Sequence, residues 1–543
     1  MTGPSEAAVI EKLVLKNFRR FRSATIEFTP GLNILVGDNE SGKTSVLEAI
    51  NLALTSRWHG HYLSAELSPH FLNAEAIAEY LAGLVQGGKP APPEMVIELF
   101  LTESPDTAAL KGSNNSLTED GFGLRLTAAL DPDFADEYAA FIAEPEHVKS
   151  VPTEYYRVEW RDFGAEPVKA RGVKVTASVI DASRIRLQSG ADFYLQQIIT
   201  GNLDPKERAQ LARAYRSLQE AFADDPAIAT INTALDASQE NITDKSLTMA
   251  INASQSNQWD SALAPHLDGL PLHVSGSGEQ NKRKILLALA RKVEDSHLIL
   301  IEEPENHLSF SSLNQLVERI STKCAERQVV VSTHSSYVIN KLGLERLMLL
   351  GGHGVTRTTH LPRTTQDYFR RLSGYDTLRL VLAKAAILVE GPSDELIVQR
   401  AYYATHHRRP IEDGIDVINV RGLSAKRFLD LAVPLKRRAA VVTDNDGDYA
   451  GNVDDKYKEY GKHDFITIHR SDDDALKTLE PQLVAANELE VLNLALGRSF
   501  TTKAEVVTYM TSNKTEAALL LHDTAHTLVM PAYIQEAVDG IAQ

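Results

Sequence analysis

An α/β fold is predicted for this chain by three observations. Apolar runs of strand length end abruptly in acids, as in Ile387–Glu390 and Val441–Asp444. Another apolar run, Gly31–Gly37, enters a glycine-rich turn, and segments with helical spacing such as Thr44–Ile50 alternate with such runs. Buried parallel strands read as continuous apolar runs, and their C-terminal ends are where α/β folds place their chemistry.

The chain has 543 residues, room for roughly three to four domains at ~150 residues each. Its hydrophobic content of 43% and charged content of 24% are those of ordinary globular proteins, which excludes a disordered or membrane class. No run approaches the ~18 apolar residues that a membrane span needs. The first residues carry Glu6 and Glu11 and lack a basic start followed by an apolar block, so no secretory signal is expected. The one cysteine, Cys324, excludes an intramolecular disulfide and a cysteine-rich zinc module, and a reducing, cytoplasmic location is expected. A net charge of −17 argues against a protein that coats nucleic acid by bulk electrostatics. It leaves room for a nuclease with local basic clusters, such as Arg19–Arg22, Lys282–Lys284, His406–Arg409 or Lys436–Arg438.

Along the chain, Val9–Phe18 and Ala24–Gly31 read as a hairpin, and Gly31–Gly37 as a buried strand that leads into a helix. Strand patterns resume at Glu94–Thr102, Gly123–Leu130, Thr153–Asp162 and Val173–Asp181. Between about Asp192 and Asp260 the character turns to polar, Ala/Gln-rich helix, which reads as a helical insertion and possible dimerisation arm, or as a helical part of the same domain. Strands return at His297–Glu305 and Arg327–Ser336, and a third alternation runs from Leu378 through Asp416–Gly422, Ala439–Gly447 and Asp464–Arg470. The expected division is 1–191 and 261–375 for a split first domain, 192–260 for the insertion, and 376–543 for a second domain.

Gly37-Asp38-Asn39-Glu40-Ser41-Gly42-Lys43-Thr44 satisfies G-x-x-x-x-G-K-[ST] between a strand and a helix. Its glycines let backbone N–H groups curl around phosphates, Lys43 reaches the β and γ oxygens, and the Thr44 hydroxyl ligates Mg²⁺. His297–Ile301 ends in Glu302-Glu303, a pair suited to holding Mg²⁺ and polarising an attacking water. Val329–Val331 ends in Ser332-Thr333-His334. Together with the opening Leu15–Ile50, these segments resemble the ATP-binding-cassette ATPases of the RecF/SMC type. The resemblance implies that Glu302 belongs to the Walker B element, where the general pattern has Asp, that Glu303 is the catalytic base, and that His334 is the switch histidine. It also implies a signature loop at Ser275, Ser277 and Gly278, which would complete the ATP site of a second subunit and make ATP partly dimer glue. Gln188 is the candidate for the glutamine loop.

The second acidic set is Glu390 and Asp394 after one apolar run and Asp444, Asp446 and Asp448 after another. Acids gathered at adjacent strand ends repel one another unless cations lie between them, which points to a divalent-metal site. Asp394 lies four residues beyond Glu390, one helical turn on. These acids resemble the Toprim fold of topoisomerases, primases and certain nucleases, whose signature is a glutamate after one strand and Asp-x-Asp after another. An ATPase followed by a Toprim unit is the arrangement of the overcoming-lysogenisation-defect (OLD) family of nucleases, which includes the Gabija A subunit. The resemblance covers essentially the whole chain and adds Glu480 as a metal ligand and Lys514 as a cation that offsets charge on the phosphate.

The resulting expectation is an ATP-binding and hydrolysing, Mg²⁺- or Mn²⁺-dependent DNA endonuclease that cuts by two-metal phosphodiester hydrolysis, in anti-phage defence or DNA processing. Glu390, Asp394, Asp444, Asp446, Lys514 and Glu303 are its candidate catalytic residues. DNA, a homodimer or higher oligomer and, in a Gabija-like arrangement, a helicase are the expected partners, with no membrane. A Toprim topoisomerase, or an ATP-switched DNA-binding scaffold without catalysis, is the alternative.

Overall fold

In a computed structural model, residues 9–38, 40–169, 172–181, 203–237, 266–267, 269–271, 275–290, 297–323, 327–351, 354–357, 361–371, 377–421 and 425–542 are described. The chain divides into two compact units, one of 1–33 and 42–333 and the other of 34–41 and 334–543. The expected boundary near residue 375 lies outside the described residues, as do Gln188, Asn39 and Cys324.

The first unit opens with the expected hairpin, Ile10–Phe18 against Phe21–Glu27, antiparallel with Leu13 opposite Ile26. Met95–Leu101 joins the other side of the first strand, followed by Gly121–Leu130 and Tyr156–Asp162, all antiparallel. Strand Met95–Leu101 is buried along its whole length, so it carries no polar alternation. A helix, Ala74–Val85, fills part of the stretch after His59 where no clear period is legible, and Asn73 caps it by accepting from the Ala76 N–H at 3.1 Å. A parallel set follows: Ala177–Asp181 pairs with Leu298–Glu302, which pairs with Gln328–Ser332. In the region read as an insertion, Pro205–Ala223 and Pro226–Ala237 are helices. Asp204 and Glu207 form a capping box at the start of the first, which buries none of its residues.

In the second unit, Ile34–Val36 pairs in parallel with Leu347–Leu349. The rest is built on a four-stranded sheet in the order Ile415–Asn419, Ala385–Val389, Arg438–Val442, Ile466–His469. Every pairing in it is parallel. Ala385–Val389 lies in the middle and is buried throughout, as a parallel strand covered on both faces must be. Helix Pro392–His406 follows it, with Ile397, Val398, Ala401 and Tyr402 facing the core. The C-terminal residues are helical, as expected, and close the same core through Leu483, Leu492, Val506, Ala517, Ile534 and Val538.

One polar residue holds these helices together. Asn487, 4% exposed, donates Nδ2 to the carbonyls of Leu483 at 2.9 Å and Val529 at 2.8 Å, and its Oδ1 accepts the Val529 N–H at 2.8 Å. Removing it takes both of these backbone hydrogen bonds from Val529. Asn487→Ala is therefore expected to destabilise this unit by about 2–3 kcal/mol, read as an earlier urea midpoint by circular dichroism. Asn487→Asp, which keeps the acceptor and loses the donors, should also destabilise it.

Candidate functional site

In the first unit, the nucleotide motif ends on helix Lys43–Thr55. Gly42 precedes that helix with φ of 98°, and a Cβ there would lie 2.7 Å from the Phe21 ring, so only glycine suits the position. Lys43 is buried. The Thr44 hydroxyl bonds to the Glu302 carboxylate, so the motif's threonine and the last residue of strand Leu298–Glu302 meet, as a shared Mg²⁺ site requires. Glu303 takes a left-handed φ of 45° and its N–H donates to the Ser332 carbonyl at 2.9 Å. Its carboxylate accepts from Asn306 Nδ2 at 2.7 Å, a partner that the sequence reading did not single out. Ser275 and Gly276 lead into helix Ser277–Ala290, and buried Gln280 reaches back to the Ser275 carbonyl at 2.7 Å. A Cβ on Gly278 would lie 2.0 Å from the His307 carbonyl oxygen, so the segment after Glu303 packs directly on the start of helix Ser277–Ala290.

In the second unit, Gly37 follows strand residues Ile34–Val36. Asp38 and His334 line one open cavity of about 590 Å³ together with Ser336, Arg379, Lys384 and Asp416. His334 precedes helix Ser336–Leu342, which Ser335 caps through the Val338 N–H.

The acidic site is built by strand register. Val389 stands opposite Val442 in the parallel pair, so Glu390 comes beside Thr443, and Asp444 follows. The Thr443 hydroxyl donates to Glu390. Gly391 and Pro392 turn the chain into helix Pro392–His406, and the Asp394 carboxylate accepts the Gly391 N–H at 3.0 Å, which brings it back beside Glu390. Asn445, 1% exposed, pins the next loop: its Nδ2 donates to the carbonyls of Asp473 at 2.9 Å and Ser471 at 3.2 Å, and its Oδ1 accepts the Gly447 N–H. Asp446 is exposed, with φ of 51°. Glu480, 3% exposed, lies in the first turn of helix Leu479–Ala486 and accepts from the Thr478 hydroxyl at 2.8 Å. Lys514, at the start of helix Lys514–Asp523, meets it at 3.1 Å.

Electrostatics tie these groups into one cluster. Burial, then the charges of Asp394, Glu390, Glu480 and Asp446, push the Asp444 carboxyl up to about 8. Burial and Glu390 push Asp394 up to about 6, against the hydrogen bond from Gly391. Burial pulls Lys514 down, but Glu480, Asp444 and Asp394 outweigh it and hold the ammonium above its ordinary value. Asp448 does not join this set: its carboxylate accepts the Gly451 N–H at 3.1 Å and caps the turn that follows. Burial, then the charges of Asp444, Asp394, Glu390 and Glu480, hold the phenol of Tyr533 in helix Ala532–Ala542 well above its ordinary pKa. It belongs to no motif and gave no signal in the sequence beyond its place in an apolar helix.

Among the described residues no three acid, histidine or cysteine side chains already converge as closely as metal ligands do. Glu390, Asp394 and Glu480 are each engaged instead by a hydroxyl, a backbone N–H or Lys514. The donor set nonetheless fits a hard divalent cation: it is carboxylate oxygen only, and Asp444 and Asp394 are raised by burial first and by the neighbouring acids second, both of which a bound cation would offset.

Comparisons with known proteins find relatives for separate segments of the chain. Residues 12–62 match the family described as "AAA domain" and residues 191–339 the "AAA ATPase domain". Residues 381–446 match "Overcoming lysogenization defect protein-like, TOPRIM domain". The DNA replication and repair protein RecF of Lachnoclostridium phytofermentans is 45% identical over 51 residues, 9% of this chain and 14% of that protein. The DNA double-strand break repair Rad50 ATPase of Methanopyrus kandleri is 50% identical over 54 residues, 10% of this chain and 6% of that protein. These matches thus span only a small part of either relative. Among solved structures, the C-terminal region of the Xanthomonas campestris pv. campestris OLD protein is 20% identical, covering 30% of this chain and 92% of that one at a TM-score of 0.23. The recombination mediator protein RecF bound to ATPrS is 10% identical, covering 65% and 99% at a TM-score of 0.35. The chain is an α/β protein that joins AAA-type ATPase domains to a C-terminal OLD-like TOPRIM domain.

Proposed function

We propose that the protein is an ATP-dependent, divalent-metal-dependent DNA endonuclease. The observation that carries this reading is that Glu390 and Asp444 follow two paired parallel strands in register, within the electrostatic reach of Asp394, Glu480 and the Lys514 that meets Glu480. Two bound Mg²⁺ or Mn²⁺ ions would activate a water and stabilise the leaving oxygen of a phosphodiester. Glu390, Asp394, Asp444 and Asp446 would hold them, with Thr443 orienting Glu390. Glu480 completes the acidic wall and holds Lys514 in place, and the lysine offsets charge on the phosphate. Asp448, which caps a turn, is left to the loop.

At the other centre, Gly37, Asn39, Gly42, Lys43 and Thr44 would hold the ATP phosphates, Thr44 and Glu302 its Mg²⁺, and Glu303 would activate water, with Asn306 setting its carboxylate. His334 would sense the γ-phosphate. Ser275, Ser277 and Gly278 would contact the nucleotide of a second copy. Homo-oligomers fit the exposed apolar side chains of Leu211, Leu218 and Phe222, which recur at helical spacing along one face of Pro205–Ala223. No helix among the described residues is long and apolar enough to cross a membrane, and a cytoplasmic role in DNA processing or anti-phage defence, with a helicase partner if Gabija-like, is the setting that suits these activities.

Plasmid incubated with Mg²⁺ or Mn²⁺, with and without ATP, tests the reading. Nicked or linear products support it, and relaxed closed circles would instead favour a topoisomerase. Asp444→Ala and Glu390→Ala should abolish cleavage and spare ATP hydrolysis, whereas Lys43→Ala should abolish ATP hydrolysis and spare metal binding at the acidic site. A folded Asp444→Ala protein with every activity intact would leave only the ATP-switched scaffold.

Lys514→Ala should lower the cleavage rate by about a hundredfold while ATP hydrolysis continues unchanged. The pH dependence follows from the raised carboxyls. Asp394 and Asp444 are protonated below about 6 and 8 respectively, so a cation must displace protons there. Mn²⁺ affinity should therefore rise by up to about tenfold per pH unit for each proton displaced, levelling off above pH 8. Titration calorimetry in two buffers of different ionisation enthalpy would measure that proton release, and a flat profile would contradict the assignment.

A further inference from the structure

The acidic loop after strand Arg438–Val442 is joined along its length to the segment after strand Ile466–His469. Asn445 Nδ2 donates to the carbonyls of Asp473 at 2.9 Å and Ser471 at 3.2 Å. The Asp474 carboxylate accepts the Tyr449 N–H at 2.9 Å, and the Lys477 carbonyl accepts the Asp446 N–H at 3.2 Å. The second segment is itself anchored, because buried Gln482 donates to the Leu476 carbonyl at 2.6 Å. Lys477 is therefore held by its main chain beside Asp446, a few residues ahead of Glu480. Its stem lies over Gly447, where a Cβ would come within 3.0 Å of the Lys477 Cε and 3.3 Å of its Cδ. A lysine stem commonly covers such surface while its ammonium stays in water.

The charges around this lysine are already matched. Arg470 engages Asp454 and Asp472, and Lys514 engages Glu480. Asp473 accepts the Ala475 N–H at 2.9 Å, and Asp448 the Gly451 N–H at 3.1 Å. Lys477 is the exception. It is exposed, and among the described residues its ammonium meets no carboxylate, although Asp446 and Asp448 flank the glycine under its stem. A cation that is seated among acids and pairs with none of them is directed outward, where an anion can reach it. Phosphates recur every ~3.4 Å of axis along each strand of a duplex, so a strand whose scissile phosphate meets the acids lays its next phosphates over the loops that border them. Contacts to such phosphates position the duplex without reading its sequence.

We propose that Lys477 is a DNA-contact residue, whose ammonium holds a backbone phosphate next to the one cleaved at Glu390, Asp394 and Asp444. This rests on the endonuclease reading of those acids. Mn²⁺-dependent plasmid cleavage by the full chain, with kcat and KM measured at several KCl concentrations, tests it. Lys477→Ala should raise KM about tenfold, the loss of one charge-assisted contact, and leave kcat within about twofold. It should also reduce the slope of log kcat/KM against log salt by about 0.9, the share of one phosphate. Lys477→Arg should keep both near their unaltered values. Lys462→Ala removes the same charge from an exposed lysine ahead of strand Ile466–His469, at the opposite edge of the sheet, and should change neither. An unchanged KM and slope in Lys477→Ala would overturn the contact, as would an equal effect of Lys462→Ala, which would assign it to net charge. A lower kcat at unchanged KM would also overturn it and make the lysine a charge-balancing group of the metal site. No cleavage by the unaltered protein would overturn the endonuclease reading, and this inference with it.

Discussion

The second unit is organised by the parallel pairing of Ala385–Val389 with Arg438–Val442. In register, the five apolar residues Ala385–Val389 and the four of Ala439–Val442 bury side by side and release Glu390 and Asp444 at the same edge. The apolar burial drives the pairing, and the acids are carried along with it. Burial first and the neighbouring acids second raise the Asp444 and Asp394 carboxyls, which is the cost of placing them there. The local chemistry moderates it through Thr443 on Glu390, the Gly391 N–H on Asp394, and Lys514 on Glu480.

The nucleotide end of the first unit uses the same device with a different balance. Strand Leu298–Glu302 also ends in acids, but Glu302 meets the Thr44 hydroxyl and Glu303 meets Asn306, so single hydrogen bonds orient each carboxylate. Close backbone packing does the rest. Phe21 against Gly42 and His307 against Gly278 leave no space for a Cβ, which explains glycine at both positions without appeal to nucleotide alone.

Legibility followed the range of the interaction. Strand ends, helix starts and the nucleotide motif are set by neighbours within a few residues, so Gly42–Thr44, Glu302–Glu303, Glu390–Asp394 and Asp444–Asp446 could be read from their own surroundings. Helix Ala74–Val85 escaped because its apolar residues do not form a clean stripe and its strongest signal is the single cap at Asn73. Asp448 carried the same letter as Asp444 and Asp446 but is turned to a capping bond two residues past the cluster, a difference of backbone conformation that spacing does not encode.

By itself the sequence determined the alternation of buried strands and helices, the phosphate-binding turn, and the acids that end each strand. These rest on hydrophobic burial and on local turn chemistry, both of which leave a periodic or adjacent signature. Only the tertiary structure decided that Lys514 pairs with Glu480 and that Thr443 holds Glu390. It also decided that Asn487 clamps Val529 and that Tyr533 is buried in the core that the last helices close. Those partners are brought together by register and by the antiparallel return of the last helix, across separations of tens of residues or more, and no residue type announces which distant neighbour it will meet.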